Sequence, residues 1–215
     1  MQNPRIPLVA HDAKKEAMVA WVEEYRHRPR NHGKSPVHHG AGHPMTPLPL
    51  IYGPDPIFSQ IALPVTSFDT DLATLTQRMI ATLYQEQAVG LGANMVGSLQ
   101  RIIVIDLQDN GNRTPQIFIN PKITGKSAEK QCFEEGSVCF PGISAEITRA
   151  KSLTLTYQDI RGQILTLEAD GYLATVIQHE LDYLDGVIFL DHLSTIKRKM
   201  LLRKTQKFQK QQGRA

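Results

Sequence analysis

Hydrophobic and polar positions change period several times along the chain. Residues 5–26 (RIPLVAHDAKKEAMVAWVEEYR) open with a short apolar run. Met18, Val19, Trp21 and Val22 then cluster at helical spacing, which predicts a strand followed by a helix. Residues 27–46 lose all periodicity and are rich in Pro, Gly and His, the composition of a flexible linker. Order resumes near Pro47, and the PDP of IYGPDPIF predicts a turn. Residues 69–86 place Leu72, Leu75, Met79 and Leu83 three and four apart behind Asp69, a good N-cap, so an amphipathic helix is expected. AVGLGANMVG (88–97) reads as a glycine-rich loop, and RIIVIDL (101–107) and QIFI (116–119) as strands. Alternation in SLTLTYQD and RGQILTLEA (152–169) predicts a hairpin. A second helix is expected over about 171–184 (containing YLATVIQHELDYL), and a third from about 193 into the C-terminal tail. Strands with helices set apart from them predict an α+β domain. The expected organisation is a strand-helix fragment over 1–26, a linker over 27–46 and one domain over 47–215.

Composition narrows the class. With 215 residues, 41% hydrophobic and 21% charged, the profile is that of a soluble globular protein. No apolar run reaches the roughly 20 residues of a membrane helix, and the charged N-terminus lacks the apolar stretch of a signal peptide. Two cysteines, Cys132 and Cys139, make no disulfide framework, so a cytoplasmic location and no membrane partner are expected. The net charge of +3 is unevenly spread. Residues 197–215 hold eight of the 24 basic residues and no acid, leaving 16 basic against 21 acidic elsewhere, a net −5. Such a tail either solubilises a terminus or attracts a polyanion such as a ribosomal surface, without reading base sequence.

The sharpest candidate chemistry is QHELDYLDG (178–186). His179-Glu180 on a helix is the first half of HExxH, in which residues four apart share a face, two imidazoles reach one metal and Glu is the general base. Here the second His position holds Tyr183, and a bare His-Glu pair is more often a surface pair than a metal site.

Three co-linear segments resemble the motifs of the peptide deformylase family. AVGLGANMVG resembles G-x-G-L-A-A-x-Q-x-G, EGSVCFPG (135–142) resembles E-G-C-L-S-x-P-G, and QHELDYLDG resembles Q-H-E-x-D-H-L-x-G. PLPLIYGPDPIFSQIALPV, RIIVIDL, TRAKSLTLTYQDIRGQ and GVIFLDHLSTIKR match the family's flanking stretches, so the likeness spans about 47–205. The resemblance implies antiparallel or mixed sheets around a central helix carrying the His-Glu motif, followed by a basic C-terminal helix. It also implies a bacterial cytoplasmic hydrolase that removes the formyl group from N-terminal formylmethionine of nascent chains. The family uses one divalent ion (Fe2+, Zn2+ or Ni2+) held by a Cys and two His. A Glu moves protons, and a Gln and a backbone N–H stabilise the oxyanion.

Carried over residue by residue, the family's positions fall on an altered set. The Cys ligand position is Ser137 and the second His is Tyr183, while His179 and the base Glu180 are retained. The oxyanion Gln is Met95, and the oxyanion backbone position is Val138. Gly90, Leu91 and Gly136 fall where substrate binds, and the first glycine of the first motif is Ala88. A Ser hydroxyl is a poor ligand beside a thiolate, and Tyr ligates only as phenolate, with an ordinary pKa of about 10. Met95 donates no hydrogen bond. The expectation is a degenerate site that binds no metal and has lost or strongly impaired deformylation, with Tyr183 donating its hydroxyl to His179 and filling the metal's space. Two alternatives stay open. One is an active deformylase with altered ligands, recruiting Cys139, which on an extended strand would sit about 6.6 Å beyond Ser137. The other is a non-catalytic protein that binds nascent chains and contacts the ribosome through residues 197–215.

Cys132 and His192 are read as structural. His27, His32, His38, His39 and His43 reflect linker composition rather than a metal site. Residues 5–26, with His11 and Asp12, resemble the opening strand and helix of methylglyoxal synthases, a fragment too short to carry that activity.

Overall fold

A computed structural model describes residues 45–213. The strand and helix expected over 5–26 and the linker over 27–46, except Met45 and Thr46, lie outside the described residues.

Five strands form an antiparallel sheet in the order β1-β2-β3-β6-β7: β1 (Gly90–Gly92), β2 (Ile102–Ile105), β3 (Gln116–Lys126), β6 (Ser152–Gln158) and β7 (Ile164–Asp170). Strands β4 (Lys130–Ser137) and β5 (Phe140–Ala150) form a separate antiparallel ribbon. Helix α1 (Thr70–Gln85) precedes β1, α2 (Gly171–Leu184) follows β7, and α3 (Thr195–Gln211) closes the described chain. This is an α+β fold with the His-Glu helix at its centre.

Helix α2 lays Ala174, Val176, Ile177, Leu181 and Leu184 against Ile103, Ile105, Phe118, Leu153, Leu155 and Ala169 of the large sheet, making one core. Each fully buried aliphatic or aromatic side chain there contributes about 1.5–3 kcal/mol of transfer free energy. Helix α1 starts as its sequence predicts: Asp69 accepts from the Asp71 and Leu72 N–H groups at 3.1 and 3.0 Å, and Leu72, Met79 and Leu83 are buried. Asp55 caps a 3-10 turn over Pro56–Ser59, the turn expected from PDP.

The basic tail is not a free terminus over 195–211. One face of α3 is docked through Leu201, Thr205 and Gln209. Thr205 Oγ1 donates to the Pro141 carbonyl and Gln209 Nε2 to the Gly53 carbonyl, both at 2.8 Å. Phe208 lies over Gly142, whose φ of +77° and lack of Cβ are both needed, since a Cβ would come within 2.9 Å of the ring.

Three expectations change. The loop of 88–97 contains β1 and a 3-10 turn over Ala93–Val96, because the glycines still pair, Leu91 opposite Val104. Strand β3 extends seven residues past QIFI, through bulges opposite β6. The ribbon β4–β5 was not foreseen. Its polar residues obscure the alternation that puts Ala145, Ile147 and Arg149 on one inward face.

Candidate functional site

The expected site residues come from four elements. Ser137 ends β4, His179, Glu180 and Tyr183 lie on α2, and Gly90, Leu91 and Met95 come from β1 and the 3-10 turn after it. Ser137 pairs with Phe140, so Val138 and Cys139 form a two-residue turn. Cys139 is therefore not on an extended strand beyond Ser137, as its spacing suggested. The chain reverses there, and the Cys139 N–H donates to Ser137 Oγ at 3.2 Å. The thiol is fully buried, and burial, with the Glu180 charge, pushes it well above its ordinary pKa.

His179 is 8% exposed, and its Nδ1 lies 2.8 Å from Glu135 Oε2. Glu135 is also gripped by Arg149, Nε to Oε1 at 2.6 Å and Nη2 to Oε2 at 2.9 Å. Arg149 Nη1 reaches Asp182 Oδ2 at 2.7 Å, and the same oxygen lies 2.7 Å from His192 Nε2. A chain of alternating basic and acidic side chains thus runs from His192 at the surface to His179 inside. Burial disfavours the protonated imidazole of His179, but its hydrogen bond and attraction to Glu135, joined by the Glu180 charge, outweigh it, and the pKa rises. Burial pushes the Glu135 carboxyl up, yet His179 and Arg149 prevail and hold it below its ordinary value.

Glu180 is buried against β1. A Cβ on Gly90 would fall 2.5 Å from Glu180 Oε1, so the glycine makes room for the carboxylate. The Gly92 N–H donates to this carboxylate, but Oε2 has no partner. Burial pushes its pKa up to about 7, against the pull of His179. Gly136 is half-buried beside Ser137, and Val138 is buried in the turn.

Tyr183 has no exposed surface. Its ring meets Phe58 edge-on at 5.5 Å and lies 5.2 Å from the His179 ring, tilted by 40°. Phe58 packs on Phe140, Phe140 on Phe189, and Phe189 stacks on His179 at 5.9 Å, closing a cycle of five rings. The expected hydrogen bond from Tyr183 to His179 is not made. The hydroxyl lies beside Ser137 with no aligned partner, and burial holds the phenol well above its ordinary pKa. Met95 is buried and holds the Ile51 N–H through its carbonyl at 2.9 Å. Its neighbour Asn94, also buried, donates to the Tyr183 carbonyl at 2.6 Å, tying this turn to α2.

Among the described residues, no group of three or more His, Cys, Asp or Glu side chains is placed to hold a metal ion. Cys132 is an exposed free thiol on β4, and His192 serves the ion-pair chain. The sequence reading missed Glu135, Arg149, Asp182 and Asn94. A signal for Arg149 existed, because alternation with Ala145 and Ile147 turns it inward, where a charge requires a partner.

The family model described as polypeptide deformylase matches residues 47–199. Among solved structures, a peptide deformylase from Legionella pneumophila superposes with a TM-score of 0.75 at 35% identity, covering 79% of this chain and 99% of that one. The fold is thus that of the deformylases. A protein of Rickettsia conorii described as "Peptide deformylase-like" is 50% identical over 155 residues, 72% of this chain and 85% of the relative. The peptide deformylase of Rhizobium meliloti is 39% identical over 170 residues, 79% and 98% of the two chains. The chain belongs to the polypeptide deformylase family.

Proposed function

We propose that this chain is a degenerate member of its family, with formylmethionine hydrolysis absent or strongly impaired. The observation that carries the reading is Tyr183, a fully buried phenol at the second histidine position, wedged between Phe58 and His179. The residues at the site do not fit an ion held by one Cys and two His. Ser137 offers a neutral hydroxyl, Tyr183 is kept protonated by burial, and His179 is the sole imidazole at the three ligand positions. Cys139 is a weak substitute, since burial keeps its sulfur as thiol and the thiolate is the ligand form. Without a metal the hydrolytic water stays near its bulk pKa of about 15.7. Glu180, Val138, Gly90, Leu91 and Gly136 keep the positions of base, oxyanion backbone and substrate contacts, so a formylmethionyl peptide or nascent chain is the ligand the pocket would take. A cytoplasmic setting suits that ligand.

Metal analysis of purified protein, paired with deformylation of formyl-Met-Ala-Ser, tests the reading. The expected result is less than stoichiometric metal and negligible turnover. Stoichiometric metal with ordinary turnover overturns it.

A second role rests on α3. Its buried face is spent on docking, while Lys199, Arg203, Lys204 and Lys207 are exposed. We infer that this basic face contacts the ribosome. Salt-sensitive co-sedimentation with ribosomes that weakens in Lys199→Glu/Arg203→Glu/Lys207→Glu is the expected result. Charge reversal is preferable to truncation, because Leu201, Thr205 and Gln209 hold the domain together.

A further inference from the structure

A cleft lies between α2 and β3. It has a volume of about 450 Å³ and is lined along one side by the consecutive residues Lys122 to Lys126 of β3. Gln178 and Leu181, both buried, form its base, and Asp182 and Asp185 stand opposite the strand. Side chains alternate between the two faces of a strand, so five consecutive lining residues place the cleft along the edge of β3, not over a face.

That edge is open. Strand β6 pairs with one side of β3 as far as Lys126. On the other side β2 pairs only with Gln116 to Ile119. One further bond, from the Asn120 N–H to the Arg101 carbonyl, ends the ladder at 2.8 Å. Arg101 then blocks one end of the cleft, donating from Nε to the Pro121 carbonyl at 3.1 Å and from Nη1 to Asp185 at 2.6 Å. From Lys122 onward no backbone partner on this side occurs among the described residues. An unpaired strand edge is a template for an added strand.

The charges select what is added. Asp185 is paired with Arg101, and Asp182 with Arg149 and His192. Lys122 and Lys126 are exposed and have no ion pair among the described residues, so they are the cleft's uncompensated charges. Strand β3 bulges between Ile123 and Gly125, so Lys122 pairs with Thr156 and Lys126 with Leu153, three residues apart on β6, and the two lysines project to opposite faces at the two ends of the open edge. We propose that this cleft binds an extended acidic peptide segment, which adds as a strand to the open edge of β3 and sets carboxylates near its two ends against Lys122 and Lys126.

Fluorescence anisotropy with labelled Glu-Glu-Val-Thr-Glu-Glu, which carries carboxylates on both faces at each end, and the intact protein tests the proposal. Saturable binding that weakens as salt rises is expected. Lys122→Glu/Lys126→Glu, checked for native circular dichroism, should weaken it by about tenfold or more, the effect of exchanging two exposed attractions for repulsions. A peptide N-methylated at its central amides should bind at least about tenfold more weakly through loss of main-chain hydrogen bonds. Absence of saturable binding overturns the proposal, as does equal binding by Lys-Lys-Val-Thr-Lys-Lys, by the N-methylated peptide or to the double variant. The readout involves neither metal nor formyl peptide, so its outcome is independent of the activity reading.

Discussion

Glu135 Oε2 holds His179 Nδ1 at 2.8 Å while Arg149 clamps the same carboxylate through two nitrogens. Under the proposed function, His179 is thus a retained imidazole whose support is in place. That support is built across the ribbon and the central helix, from groups 4–5% exposed on the Arg149–Glu135 side. Removing one partner leaves a buried charge without compensation, so Arg149→Leu should cost about 3–5 kcal/mol. Urea denaturation measures it. A loss below about 1 kcal/mol would show that water, not Arg149, neutralises Glu135.

Stability should fall as pH rises from about 5 to 8. The folded pKa of His179 is raised, so its contribution is complete below its ordinary value of 6.5 and is lost as pH climbs through the higher folded value. Glu180 has the same sign: its pKa goes from an ordinary 4.5 up to about 7, the folded state holds the extra proton, and stability declines across that window. Glu135 is lowered, so its contribution appears above the ordinary carboxyl pKa and fades only in acid. Urea midpoints at pH 5.5 and 8.0 check the trend. Glu180→Gln should remove much of the slope, and an unchanged slope in that variant excludes Glu180 as its source.

Tyr183→Phe should leave stability unchanged or raise it by about 1 kcal/mol, because it deletes a fully buried hydroxyl that has no aligned partner. In a chain of this size that gain moves Tm by about 2–4 °C. A drop of similar size would mean that the hydroxyl is hydrogen-bonded in solution.

Restoring the family's residues should restore its chemistry. Ser137→Cys with Tyr183→His rebuilds a thiolate and two imidazoles around one point, and stoichiometric zinc on dialysed protein is the expected result. Adding Met95→Gln supplies the missing oxyanion donor, worth about 10²–10³ in rate. If the triple variant binds zinc but leaves formyl-Met-Ala-Ser intact, the aromatic packing of Phe58 and Phe140 has closed the substrate's path.

Gly90→Ala should destabilise the domain by about 1–3 kcal/mol, since the new methyl would lie 2.5 Å from Glu180 Oε1. Thermal denaturation reads the loss. The double variant Gly90→Ala/Glu180→Ala should recover part of it, and failure to do so would place the strain elsewhere.

The elements that could be read from the sequence are those with one dominant period. Helix α2 was legible over its whole length because its apolar positions repeat as a buried helix requires. Helix α1 was legible because Asp69 marks its start. The ribbon β4–β5 was not, since Glu134, Glu135 and Arg149 interrupt the alternation that an apolar core would have shown. At the site, residue identities alone carry the proposal of altered ligands, because ligand chemistry belongs to single side chains. The partners did not emerge, because Glu135 and His179 are 44 residues apart and meet only through the packing of ribbon and helix. The turn at Val138–Cys139 misled for a related reason: extrapolating a strand along its axis fails where the chain reverses, and the cross-strand pairing of Ser137 with Phe140 decides that.

Gln209 and Gly53 lie 156 residues apart, yet one hydrogen bond joins them, with Phe208 seated on Gly142 nearby. The last helix of the domain thus completes a loop made near its beginning. During synthesis the early loop and the ribbon must wait for α3 to clear the exit tunnel before their contacts with it close. A family whose work is on newly made chains here has a member whose own early loop stays open until α3 has been made.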